Sequence, residues 1–297
     1  MINGRRDLLL NITGAIKEYP THSYIPATIL LSAVVLNKIF DTILFDLDDT
    51  LLVELKSAEE AFAETVEILN SHIDKNEFVK SIIAQARINW YKLPAIEYCL
   101  RIGISSREGL WADFTGENEN LKILRSLSVK YRLDTWHETL IKFGINDPAI
   151  AEKLSCEFIR IRNNKHVLFP EVKDVLDKLK DRFKLGLITN GTPDVQWNKI
   201  NGGNLKQYFK FIAVSGEQGY AKPDRRLFDI VISGLNSDKS AAIMIGDSIN
   251  TDIKGAKDYG ISTVWINRNK VKSDSIKPDY EITNLTGILK ILSAKKI

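Results

Sequence analysis

Five short apolar runs recur along this chain, and their alternation with helical patterns limits the fold more than any other feature. The runs are Phe40 to Asp46, Leu185 to Thr189, Phe211 to Ser215, Ala241 to Ile245 and Ser262 to Ile266. Each has strand length and is bounded by turn residues. Between the runs lie helical patterns at Pro170 to Arg182, Asp194 to Tyr208, Pro223 to Leu235 and Thr251 to Tyr259. The first of these starts on proline and the last closes on Gly260, both common helix punctuation. Such alternation predicts an α/β fold, a parallel sheet with helices on both faces. In that fold every strand delivers its following loop to one edge, where functional groups collect.

Residues 57–165 break the alternation, with helix signals and no strand signals. Ser57 with Glu60 reads as a capping box, Asp147-Pro148 as a helix start and Gly144 as a helix end. The stretch reads as an inserted all-helical domain, a cap above the first strand's carboxyl end. The division is therefore an N-terminal extension over 1–37, a core over 38–56 and 166–297, and a cap over 57–165.

The extension contains a strongly apolar run, Ile25 to Leu36, preceded by Arg5 and Arg6. At about 12 residues it falls short of the roughly 20 that a membrane span needs, and no small-residue cleavage site follows. An extra helix packed on the domain is preferred to a membrane anchor or a start codon placed too early. Lys and Arg total 41 against 38 Asp and Glu, so no nucleic-acid footprint is implied. Cys99 and Cys156 form neither a disulfide framework nor a zinc pattern, which fits a reducing cytoplasm. Nothing bears on oligomeric state.

At the end of the first run, ILFDLDDTL sets Asp46, Asp48 and Asp49 within four residues. Carboxylates this close raise one another's pKa unless a cation or hydrogen-bond donors sit among them, so a cation-dependent site is the first hypothesis. An acidic turn is the plain alternative. Other runs end in groups of matching chemistry: Thr189-Asn190-Gly191, Lys222 in the run GEQGYAKPD, and Gly246-Asp247-Ser248 with Asp252. Each alone has an ordinary explanation as a turn, a surface lysine or a helix cap. On a parallel sheet all four would meet.

In order and spacing, DLDDT, TNG, the lysine of KPD and GDSINTD resemble the four motifs of the haloacid dehalogenase superfamily of Mg²⁺-dependent phosphohydrolases. The resemblance runs from about Phe40 to Leu292 and is closest to the branch with a helical cap after the first motif. It implies a Rossmann-like three-layer core. It further implies Asp46 as nucleophile, forming an aspartyl-phosphate, and Asp48 as the acid that protonates the leaving oxygen and then activates water. Thr189, the backbone N–H of Asn190 and Lys222 would hold the phosphate. Mg²⁺ would bind the side chains of Asp46 and Asp247 and the backbone carbonyl of Asp48, with Asp252 orienting that shell. Family members that cleave carbon–halogen bonds typically lack the second acid, so Asp48 favours a phosphatase. Arg225, standing where proline often follows Lys-Pro-Asp, is a local departure.

The expected substrate is a small phosphorylated metabolite such as a sugar phosphate or nucleotide. Cap residues Trp90, Tyr91, Lys92, Arg101, Trp111, Trp136 and His137 are candidates for reading it, against the plain alternative that aromatics at helical spacing are core. A phosphomutase and a non-catalytic binding or regulatory module remain as competing functions.

Overall fold

The computed structural model describes residues 40–69, 73–273 and 276–293. The expected N-terminal extension over 1–37 lies outside the described residues. A six-stranded sheet runs in the order β3-β2-β1-β4-β5-β6. Its strands are β1 Thr42–Phe45, β2 Lys184–Thr189, β3 Phe211–Val214, β4 Ala242–Gly246, β5 Ser262–Ile266 and β6 Tyr280–Ile282, and every neighbouring pair is parallel.

Two-sided burial explains why the strands are continuous apolar runs rather than alternating ones. Ile43, Phe45, Leu185, Leu187, Ile243 and Ile245 enter one hydrophobic cluster, whereas Leu44, Ile188, Ala242 and Met244 enter another. The period-2 geometry of a strand sends successive side chains to opposite faces, so each face needs its own cover. Helices α7 Val172–Leu179, α8 Pro193–Gly202 and α12 Gly287–Ser293 supply the first cover. After the short helix α9 Ser215–Gln218, helices α10 Arg225–Gly234 and α11 Lys254–Tyr259 supply the second. The expected α/β three-layer architecture is thus observed.

Between β1 and β2 the chain forms α1 Glu54–Val66, α2 Lys75–Trp90, α3 Ile96–Ile102, α4 Ser106–Gly109, α5 Glu119–Lys142 and α6 Pro148–Asn164. These helices build a separate core, with Phe62 stacked on Phe158 at 4.2 Å between centroids and Trp136 edge-on to the same ring. Apart from Val195, its buried members all come from this insertion. The two chain crossings are zipped together, Val53 N–H donating to Val167 O at 2.8 Å and Phe169 N–H to Leu51 O at 3.0 Å.

Several local expectations need correction. Ser57 does not cap a helix: it is buried inside α1, which begins three residues earlier at Glu54. The free amides of that first turn instead donate to Asp49 Oδ1, Glu54 at 3.0 Å and Leu55 at 3.1 Å. The pattern from Asp194 to Tyr208 is broken at Gly202, and a separate 3₁₀ turn covers Lys206–Tyr208. Strand β6 was not expected, because only three residues pair and all remain partly exposed. Asp147 caps α6 as expected, accepting from Ala149 and Ile150 N–H. Among the described residues no helix is long and apolar enough to cross a membrane.

Candidate active site

Asp46 is the first residue beyond β1 and is buried. Its Oδ1 accepts from Lys222 Nζ at 2.5 Å and its Oδ2 from Thr50 Oγ1 at 3.0 Å. Thr50 in turn accepts from Asp247 N–H at 3.1 Å, which joins the β1 and β4 loops through one hydroxyl. Lys222 also pairs with Asp252 Oδ1 at 2.8 Å, and Asp252 Oδ2 accepts from Ser248 N–H at 3.0 Å. Ligand oxygens of Asp46, Asp247 and Asp252 all lie within 4.8 Å of one another. Three acids from two strand ends therefore share one spot, with one buried lysine among them.

Backbone conformation makes this close approach possible. Gly246 ends β4 where a Cβ would collide with the Asp252 carboxylate. Gly191 has φ +143, a region open to glycine, and a Cβ there would strike Gln196. Asp49 turns at φ 55, which Asp tolerates better than most residues.

The electrostatics follow from burial. Desolvation raises Asp46 to about 6, with Asp252 adding to the rise and Lys222 opposing it. Asp247 is pushed up to about 8 by burial and by the nearby charges of Asp46, Asp252 and Asp49. Burial works against the charge on Lys222, but Asp252 and Asp46 outweigh it and raise its pKa. A divalent cation among these oxygens would offset both the burial and the repulsion that raise Asp247.

Of the residues expected from sequence, Asp46, Lys222, Asp247 and Asp252 converge directly. Asp252 sits closer than expected, in the acid cluster itself and in contact with Lys222. Asn190 joins through its side chain: Oδ1 accepts from Lys222 N–H at 2.9 Å and Nδ2 donates to Lys222 O at 3.0 Å. Thr189 ends β2 at the same sheet edge, its hydroxyl donating to Gln196 Oε1 at 3.0 Å. Asp48 is held by Lys199 Nζ through both carboxylate oxygens, at 3.0 and 2.9 Å. Burial raises Asp48 to about 6, with Lys199 opposing and Glu54 and Asp46 reinforcing.

Sequence reasoning missed several groups. Lys199, Gln196 and Thr50 sit in or beside the core loops, Glu54 opens α1 at the crossing into the insertion, and Glu108 and Arg162 come from the insertion. Buried Glu108 accepts from Thr192 N–H at 2.5 Å and Thr192 Oγ1 at 2.9 Å, directly after the Thr189-Asn190-Gly191 loop. Burial pushes Glu108 up to about 7. In one dimension Lys199, Glu54, Glu108 and Arg162 are ordinary charges on helices that their spacing does not mark, whereas Thr50 stands within the DLDDT run itself. Of the aromatic candidates, Trp90, Trp111 and Trp136 follow their plain reading and are buried in the insertion's core, whereas Tyr91 is exposed with Arg87 over its ring. Arg101 lies over Tyr98, and His137 bonds Asn146.

The model of the haloacid dehalogenase-like hydrolases matches residues 40–260, well over half of the chain. The chain belongs to this family. Among relatives, a phosphoserine phosphatase of Thermus thermophilus is 31% identical over 248 residues, 83% of this chain and 96% of that protein. A glyceraldehyde 3-phosphate phosphatase of Pyrococcus furiosus is 29% identical, over 63% of this chain and 80% of its own length. Among solved structures, the HAD-hydrolase YfnB of Bacillus subtilis, bound to magnesium, matches with a TM-score of 0.59 and 26% identity. That match covers 86% of this chain and 99% of the neighbour. The Bacillus subtilis neighbour thus shares the fold of this hydrolase.

Proposed function

We propose that this sheet edge hydrolyses a small phosphorylated metabolite, with Mg²⁺ as the bound metal and Asp46 as nucleophile. The reaction class follows from the family and from relatives that are phosphatases: the chain is a hydrolase of phosphoric monoesters. The observation that carries the residue roles is the convergence of Asp46, Asp247 and Asp252 on one another, with Lys222 paired to Asp46 and Asp252.

The donor set fits Mg²⁺. All three side chains offer hard carboxylate oxygens, and buried Asp252 Oδ1 has no hydrogen-bond partner beyond its ion pair with Lys222. When bound, the ion would neutralise charge on the phosphoryl oxygens during transfer. Asp46, Asp247 and the Asp48 carbonyl would hold it, with Asp252 steadying both the ion and Lys222.

In the first half-reaction an Asp46 oxygen bonds to phosphorus as the bond to the ester oxygen breaks, and Asp48 donates a proton to that leaving oxygen. In the second, Asp48 takes a proton from water, the water oxygen bonds to phosphorus, and Asp46 departs with inorganic phosphate released. Lys222, the Thr189 hydroxyl and Asn190 N–H would stabilise the equatorial oxygens. For Thr189 to donate there, it must release Gln196. The insertion over 57–165 would act as a cap, a reading supported by Glu108 reaching the loop after β2. The Bacillus subtilis neighbour, described as undergoing interdomain movement, is consistent with such a part. The two cysteines are free, in keeping with a cytoplasmic setting.

The test is phosphate release from para-nitrophenyl phosphate, with Mg²⁺ and with EDTA. Metal-dependent release that is lost in Asp46→Asn is expected; release that survives either change overturns the mechanism. A panel of phosphoserine, sugar phosphates and nucleotides then identifies the substrate. An isomerised sugar phosphate in place of free phosphate would mark a mutase. No turnover on any ester would mark a binding module.

A further inference from the structure

Lys199, which no expected motif contains, is a buried ammonium at the centre of a chain of charges. Its Nζ reaches both oxygens of Asp48, at 3.0 and 2.9 Å, and Glu54 Oε2 at 3.3 Å. The other oxygen of Glu54 accepts from Arg162 Nη2 at 2.7 Å, and the Arg162 guanidinium lies 4.8 Å over the Trp111 ring. Lys199 and Arg162 expose only 5% and 2% of their side chains, so both charges depend on these partners.

The placement of the four groups matters. Asp48 and Lys199 belong to the sheet domain, one in the loop after β1 and the other on α8. Glu54 is the first residue of α1, immediately after the insertion's entry crossing, and Arg162 lies on α6 just before the exit crossing. Those crossings are hydrogen-bonded to each other at Val53 and Val167. A two-point grip also fixes more than a single bond would. With both oxygens held by one ammonium, the Asp48 carboxylate keeps one rotation about its Cβ–Cγ bond.

We propose that Lys199 is a positioning residue for Asp48, and that Glu54 and Arg162 tie this grip to the insertion at both of its crossings. The proposal rests on the phosphatase reading, with Asp48 as the group that protonates the leaving oxygen. Lys199 acts through Asp48 and needs no contact with the ester.

The experiment compares kcat/KM for phenyl phosphate, whose leaving group needs a proton, with that for para-nitrophenyl phosphate, whose leaving group needs it far less. Lys199→Met should cost about 10-fold or more on phenyl phosphate and less than about 3-fold on para-nitrophenyl phosphate, as expected for a displaced general acid. Lys199→Arg should restore most of the phenyl phosphate rate. On an Asp48→Asn background, Lys199→Met should add less than about 2-fold, because residues acting as one unit are non-additive. Equal losses on both esters, or a full further loss on the Asp48→Asn background, would assign Lys199 a purely structural role and overturn the proposal. Should Lys199→Met not fold, Glu54→Gln keeps the lysine and is read by the same ratio: a several-fold selective loss supports the grip, and an unchanged ratio overturns it. Wild-type protein that hydrolyses neither ester overturns the phosphatase reading itself, and this proposal with it.

Discussion

Lys222 contributes more as a counter-charge than as a hydrogen-bond donor, since it faces two buried carboxylates at once. Lys222→Met leaves Asp46 and Asp252 to repel each other without compensation, a change that commonly costs about 3–5 kcal/mol in a buried pair. Protonation relieves that repulsion, so the loss must grow with pH. Melting should show the variant close to wild type near pH 5 and well below it at pH 8; a constant difference across that range would argue against the buried pairing. Asp48→Asn tests the neighbouring residue. It should lower kcat by about 10²–10⁴-fold with Asp46 untouched, and rapid-quench detection of phosphorylated protein should show slow formation and slow decay.

Elements were legible where one physical signal dominated. Strand β5 carries an apolar run with clear turn residues on either side, and its bounds agree with those read from sequence. Helix α6 was legible for the same reason, because Asp147 supplies a cap and Pro148 a first position that pre-sets the backbone. Asp147→Ala should lower stability by about 1 kcal/mol in urea titration, through loss of the bonds to Ala149 and Ile150. Helix α1 was misjudged because its N-terminal partner is not on the helix: Asp49, kinked into positive φ by the site's own geometry, caps it from outside. The same limit applies to the site. The four motifs gave Asp46, Lys222, Asp247 and Asp252, whereas Lys199, Glu108 and Arg162 owe their placement to helix packing that spacing along the chain does not encode.

For the molecule as a whole, the acid cluster sets how stability responds to pH. Asp46 and Asp48 near 6 and Asp247 near 8 titrate well above the ordinary carboxylate range near 4. The folded chain therefore holds more protons than the unfolded chain across that window, and its stability falls as pH rises from about 4 to about 8. Mg²⁺ competes with those protons, so its stabilising effect has the opposite slope. In EDTA the melting temperature should drop between pH 5 and pH 8, and saturating Mg²⁺ should raise it more at pH 8. A melting temperature in EDTA that climbs over this interval would contradict the burial assigned to the cluster.

The insertion has a core almost entirely its own, so it is the part of the molecule that can diverge at small cost to the sheet. A transplanted set of helices could change which metabolite is admitted while the strand tips go on doing the same work. Besides the Glu108 contact to Thr192, the proposed grip constrains the graft: the incoming helices must bring an acid where Glu54 stands and a guanidinium where Arg162 stands. Recruits without that pair would inherit the chemistry and lose its alignment, which a turnover assay on exchanged proteins can detect.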